Sequence, residues 1–191
     1  MILLPSIMLI TGPDPTEKNI YIKKILFQIN NGVKLIQLRA KELSKNDYFL
    51  LAQEVIEIGK KYNVKVVLNT DLDTATALDA DGIHLTSHQL MQHQQRLLPF
   101  HKIVSAACHD QIQLLHAKHI QVDFAIISPV LKTKSHPDAN PLGWDKFAAL
   151  CRLVSIPIYA LGGMSRTDVA TAMAHGGIGI AAIHSLWDEY K

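Results

Sequence analysis

The sequence is poor in cysteine, in net charge and in long apolar runs, and each shortage excludes something. It has two cysteines, Cys108 and Cys151, far apart and outside any CxxC pair. That excludes a disulfide framework, and a reducing compartment is expected. Nineteen basic side chains against seventeen acidic ones leave a formal charge of +2. Without a dense basic stripe, nucleic acid is not an expected partner. No stretch approaches the ~20 apolar residues of a membrane span. The apolar start, MILLPSIMLITG, is interrupted by Pro5 and lacks a basic flank and a cleavage site. It does not read as a signal peptide. A cytoplasmic protein with no membrane partner is expected. No Pro-, Gly- or Ser-rich linker divides the chain, so residues 1–191 are expected to form one domain. Ten histidines are present, yet only His116 and His119 have helical spacing, and HExxH and GxSxG are absent. Neither a zinc site nor a hydrolase triad is supported.

What is present is alternation. Hydrophobic residues make up 48% of the chain and charged ones 19%, enough for a substantial core. Short Ile- and Val-rich runs occur at Ile7–Ile10, Val33–Leu38, Val64–Leu68, Gly82–Leu85, Ile103–Ala107, Phe124–Ile127, Pro157–Leu161 and Gly179–Ile183. Continuous apolar runs this short suit strands covered on both faces. Helical periodicity lies between them, as in Thr16–Asn31, Tyr48–Lys61, Asp145–Leu153 and Thr167–His175. Ser44 and Ser165 read as helix entries, and Gly176–Gly177 as an exit. Eight strand runs favour an α/β fold of one kind: a compact single-domain (β/α)8 TIM barrel with short termini. A doubly wound sheet, usually of five or six strands, fits the count less well. The first strand run starts near the N-terminus, and at most eight residues, His184–Lys191, follow the last. The groove beside strands one and eight is therefore expected to need cover, from Trp187 or from a second copy in a homodimer.

In a barrel, the C-terminal strand ends carry the site. The second strand ends in Gln37, Arg39 and Lys41, which alternation sends to one side. An amide, a guanidinium and an ammonium together suit a phosphate or diphosphate; solvated charges at a strand end are the plainer alternative. The third ends at Asn69, a candidate anion donor, followed by Asp71 and Asp73. These aspartates suit Mg²⁺, or else cap the helix Leu72–Leu78. The seventh ends at Gly162-Gly163, before a helix, and the eighth at His184-Ser185. Those two ends form the recurrent phosphate cradle of such barrels. His84 reads as a hydrogen-bonded structural residue. His136, in the long stretch Pro129–Gly143, and His184 are the histidines placed for chemistry.

The runs LIQLRAK, LNTDLDTATALDADGIHL, SPVLKTKSHP, IPIYALGGM and GIGIAAIHSLW resemble, in order, the thiamine phosphate synthase/TenI family. The likeness covers most of the chain and is nearest to the synthase-like domain that some bacteria fuse behind a Nudix hydrolase. It implies a barrel acting in thiamine biosynthesis or salvage. The implied reaction joins a pyrimidine diphosphate to a thiazole phosphate, releasing diphosphate. It implies small phosphorylated heterocycles as substrates, Mg²⁺ as cofactor, and a separate Nudix hydrolase as partner. The resemblance assigns Gln37, Arg39, Lys41 and Asn69 to the diphosphate. It assigns Thr133, Gly162 and Gly163 to the thiazole phosphate, with Lys132, Lys134 or His136 closing the loop after strand six.

The departures from the pattern are specific. The two Mg²⁺ aspartates of the family fall on Thr70 and Gln89, and a family serine falls on Ala107. Asp71 and Asp73 are the neighbouring carboxylates that a rebuilt metal site would use. The catalytic histidine of the TenI isomerase branch falls on Pro129. A divergent isomerase, or a non-catalytic module for thiazole phosphate or thiamine phosphate, is therefore the alternative expectation.

Overall fold

The computed structural model describes residues 3–13, 15–133 and 139–190. Lys134 and His136 lie outside these. Eight parallel strands close into a barrel in sequence order. They are β1 (Ile7–Ile10), β2 (Leu35–Leu38), β3 (Lys65–Leu68), β4 (Gly82–Leu85), β5 (Ile103–Cys108), β6 (Phe124–Ile127), β7 (Ile158–Ala160) and β8 (Gly179–Ala182). Every strand run expected from the sequence forms a strand. The edges Val33, Val64 and Pro157 fall outside, where the ladders begin one or two residues later.

Helices follow each strand: α1 (Lys18–Asn30), α2 (Lys45–Tyr62), α3 (Leu72–Ala77), α4 (Ser87–Gln92), α5 (Gln111–His119), α6 (Gly143–Cys151), α7 (Val169–Ala174) and α8 (His184–Trp187). Ser44 caps α2 by accepting from the Asp47 N–H. Ser165 and Asp168 cap each other at a 3₁₀ turn, Arg166–Asp168, that leads into α7. Both follow from a short polar side chain satisfying otherwise orphaned N–H groups.

Alternation along the strands splits the core in two. Met8, Ile10, Leu35, Val67, Ile103, Phe124, Ile126, Tyr159 and Ala181 point inward and fill the barrel. Phe124 and Tyr159 pack edge to face there, with centroids 5.3 Å apart. The intervening residues, such as Leu9, Ile36, Leu38, Val66 and Leu68, meet the helices. A barrel plugged by apolar side chains below leaves only its upper rim for chemistry.

The groove beside β1 and β8 is covered from within. Trp187, 2% exposed, lies edge-on to Tyr21 at 4.6 Å. It sits against Gly12, where a Cβ would come within 2.2 Å of the indole. The four-residue α8 is held by Gln28, which is fully buried. Gln28 Nε2 donates to the Leu186 carbonyl and to Glu189 Oε2 (2.8 Å), and its Oε1 accepts from Arg166 (2.7 Å). Gln28→Leu would strand these partners. It is expected to cost about 1–3 kcal/mol, read as a lowered melting temperature.

Candidate functional site

The rim at the C-terminal strand ends encloses a cavity of about 640 Å³, bordered by residues from all parts of the ring. A second cavity of about 470 Å³ adjoins it over β7 and β8. Thr133, Leu161, Gly162, Ile183 and His184 border both, so the two form one continuous mouth. That size suits a small-molecule site.

Gln37, Arg39, Lys41 and Asn69 all border the larger cavity, as alternation along β2 requires. The backbone of β2 is fixed by hydroxyls at its end. Thr11 accepts from the Arg39 N–H (2.9 Å) and donates to the Arg39 carbonyl (3.1 Å). Tyr48 donates to the Leu38 carbonyl at 3.0 Å. The strand end is thus pinned while the Arg39 and Lys41 side chains have no ion-pair partner among the described residues. Asn69 donates to Gln37 Oε1 at 3.4 Å. This leaves Gln37 Nε2 buried with no hydrogen-bond partner among the described residues. A buried donor left unmatched is costly, so it points to an acceptor that arrives with a ligand.

The glycine pair serves two purposes. Gly162 and Gly163 have φ of +101° and +71°, which favours glycine. A Cβ on Gly162 would meet Pro129 Cα at 2.8 Å, and one on Gly163 would meet the Lys132 carbonyl at 2.4 Å. The loop after β7 therefore lies flat on the loop after β6. Backbone bonds Val130→Leu161 (2.8 Å) and Leu131→Gly162 (3.0 Å) join them. Ser185 donates to the Met164 carbonyl at 2.6 Å, linking the loop after β8 to the one after β7. Both His184 and Ser185 border the smaller cavity, beside Gly163 and Lys132.

Asp71 and Asp73 do not border the mouth. Asp71 caps α3 through the Thr74 N–H (2.8 Å) and pairs with Lys45 at 3.3 Å. The Thr74 N–H first, and Lys45 in smaller measure, hold its carboxyl below the usual range. Asp73 lies in the first turn of α3, with its side chain on the exposed surface. Capping wins because α3 begins immediately after Asp71.

His84 is both structural and part of the mouth. Its Nδ1 meets Ser105 Oγ at 2.9 Å, and Ser105 donates onward to the Ile83 carbonyl. Since Ser105 has only one proton, Nδ1–H is the donor, and burial keeps the ring neutral. Burial pushes its pKa down from 6.5 to about 3. The unfolded chain therefore binds a proton at His84 below pH 6.5 that the folded chain refuses. Stability is unaffected above pH 6.5 and falls as pH drops towards 3, by up to about 1.4 kcal/mol per unit. His84→Asn is expected to flatten the melting-temperature profile between pH 6.5 and 4.5.

One residue escaped the sequence reading. His109, directly after β5, borders the larger cavity. Its Nδ1 lies 2.8 Å from the Ser128 carbonyl, an acceptor, so Nδ1 carries the proton and Nε2 is left for a ligand. The signal was available: His109 follows a strand end, as Arg39 and Asn69 do.

The chain matches the family model described as thiamine monophosphate synthase over residues 7–186. It is 33% identical over 180 residues to a putative thiamine-phosphate synthase 2 of Aquifex aeolicus, covering 94% of this chain and 96% of that one. It is 32% identical over 162 residues to a thiamine-phosphate synthase of Caldanaerobacter subterraneus, covering 84% and 76%. Among solved structures, the thiamine phosphate pyrophosphorylase of Pyrococcus furiosus superposes with a TM-score of 0.77 at 20% identity, covering 95% and 87%. That last likeness concerns the fold. Among the described residues no helix is long and apolar enough to cross a membrane.

Proposed function

The chain belongs to the thiamine monophosphate synthase family, and on that premise we propose that it joins a pyrimidine diphosphate to a thiazole phosphate. The observation that carries this reading is the two-ended mouth. One end has cations and amides on β2 and β3; the other has glycines and a short helix start after β7 and β8. Two phosphorylated ligands need two anion sites on one cavity, with their organic parts meeting between them.

In the proposed reaction the pyrimidine methylene–oxygen bond breaks and the electron pair leaves with diphosphate. The thiazole nitrogen gives its lone pair to the resulting carbocation, forming the new C–N bond. Arg39 and Lys41 offset the charge growing on the leaving group, with Asn69 and Gln37 as neutral donors. Fixed donors aimed at developing charge lower the barrier because they need no reorganisation. Thr133, Gly162 and Gly163 border the smaller cavity, which supports its reading as the second phosphate site. His184 and Ser185 complete that end.

Incubating the pure protein with both phosphorylated halves tests this. Thiamine phosphate and diphosphate are expected in equal amounts. No product at high substrate, with or without Mg²⁺, overturns the synthase reading. The lost carboxylates at Thr70 and Gln89 favour a second reading, a module that binds thiamine phosphate without turnover. Under it, thiamine phosphate raises the melting temperature while no product forms. The TenI-type isomerase has less support, because proline occupies position 129.

The free, buried Cys108 and Cys151 support a cytoplasmic setting. Trp187 removes the need for a second copy over β1 and β8, so the homodimer loses its main argument. A separate Nudix hydrolase as partner rests on the resemblance alone, and co-purification tests it.

A further inference from the structure

We propose that the mouth binds diphosphate directly, through Arg39, Lys41 and neutral donors, with no divalent cation in the site. This rests on the reading of the β2–β3 end as a diphosphate site.

The donor set carries the inference. A hard cation such as Mg²⁺ needs anionic oxygen ligands, commonly one or two carboxylates besides the substrate phosphates. The two positions where the resemblance places metal carboxylates are Thr70 and Gln89, and the Gln89 amide is turned to the Thr70 backbone. Gln89 Nε2 donates to the Thr70 carbonyl at 3.4 Å. Gln89 Oε1 accepts from the Thr86 N–H (3.0 Å) and the Thr86 hydroxyl (2.9 Å). The Gln89 oxygen is spent on the capping box of α4. It is a neutral oxygen already engaged, which is a poor ligand for a hard cation.

Among the described residues no nearby carboxylate replaces them. Asp71 is committed to the α3 cap and to Lys45. Among the described residues bordering the larger cavity there is no aspartate or glutamate. Asp188 and Glu189 border the smaller cavity, at the other end of the mouth. There Glu189 is tied to Gln28 and Arg166, and Asp188 lies 3.5 Å from His184. No group of three or more metal-competent side chains occurs among the described residues.

The positive charge is already in place. Arg39 and Lys41 face the cavity without a described counter-ion, and the Gln37 amide is an unmatched buried donor. An anion satisfies all three. A divalent cation beside them would add like charge with no carboxylate to offset it.

Calorimetric titration of the full chain with inorganic diphosphate, in EDTA and then in excess Mg²⁺, tests the proposal. Binding is expected in EDTA. Mg²⁺ is expected to leave the affinity unchanged or to weaken it, because Mg²⁺ also complexes diphosphate in solution. Tightening by about fivefold or more in Mg²⁺ overturns the metal-free site but leaves the diphosphate reading standing. No binding in either condition overturns both. Asp14 and Asp138 lie outside the described residues, and Asp14→Asn and Asp138→Asn are each expected to give the same pair of affinities; Mg²⁺ that tightens binding in the parent chain but not in one of these variants overturns the proposal. The converse variant, Thr70→Asp with Gln89→Asp, restores two carboxylates. In it, Mg²⁺ is expected to tighten diphosphate binding by about tenfold. A folded double variant still indifferent to Mg²⁺ overturns the assignment of the cause to these two positions.

Discussion

Arg39→Met is expected to lower kcat for thiamine phosphate formation by about 10²–10³-fold. Its effect on KM for the thiazole phosphate is expected to be small. The reason is where charge develops. The departing diphosphate gains negative charge as the bond breaks, so a fixed guanidinium acts more strongly on the transition state than on the bound substrate. Arg39 has no described ion pair to dilute that effect, and Thr11 holds its backbone on both sides. In the proposed metal-free site, Lys41 is the other cationic side chain at that end left to share the load. Arg39→Lys keeps the charge without the planar fork and is expected to recover only part of the rate. Steady-state kinetics of the three forms decide the matter. An Arg39→Met chain with unchanged kcat would remove Arg39 from the chemistry.

Gly163→Ala is expected to act at the other end of the mouth. The residue sits at φ +71°, and an added Cβ would lie 2.4 Å from the Lys132 carbonyl, a backbone atom that cannot swing aside. The loops after β6 and β7 must then separate, taking Thr133 and Gly162 with them. KM for the thiazole phosphate is expected to rise about 10–100-fold, while diphosphate binding changes little. The split separates the two ends. Equal losses for both ligands would show that the substitution deforms the whole rim.

The fold was largely legible because its signal repeats. Eight apolar runs of similar length, most followed by helical spacing, leave few architectures, and β1 to β8 fall on those runs. Ser44 and Ser165 were legible because capping is a local interaction. The cationic end was legible by the same logic, since Gln37, Arg39 and Lys41 share a face through strand alternation. Legibility failed where one residue type has two uses. An aspartate before a helix reads equally as a metal ligand or as a cap, and only the position of Asp71 on α3 separates them. Gly162 and Gly163 suggested close approach to a ligand. Their bare faces also meet Pro129 and Lys132, a second use that rests on partners distant in sequence. His109 was missed because its role depends on the Ser128 carbonyl of the neighbouring strand end. The hydrogen bond from the Gln89 side chain to the Thr70 carbonyl is also non-local, joining the segments after β3 and β4.

The central claim is that one mouth holds two phosphorylated groups at separate ends. A crystal structure with thiamine phosphate and diphosphate bound tests it most directly. Diphosphate is expected against Arg39, Lys41, Asn69 and Gln37 Nε2, and the ester phosphate against Gly162, Gly163 and the start of α8. Both anions at one end, or neither in the mouth, would contradict the account.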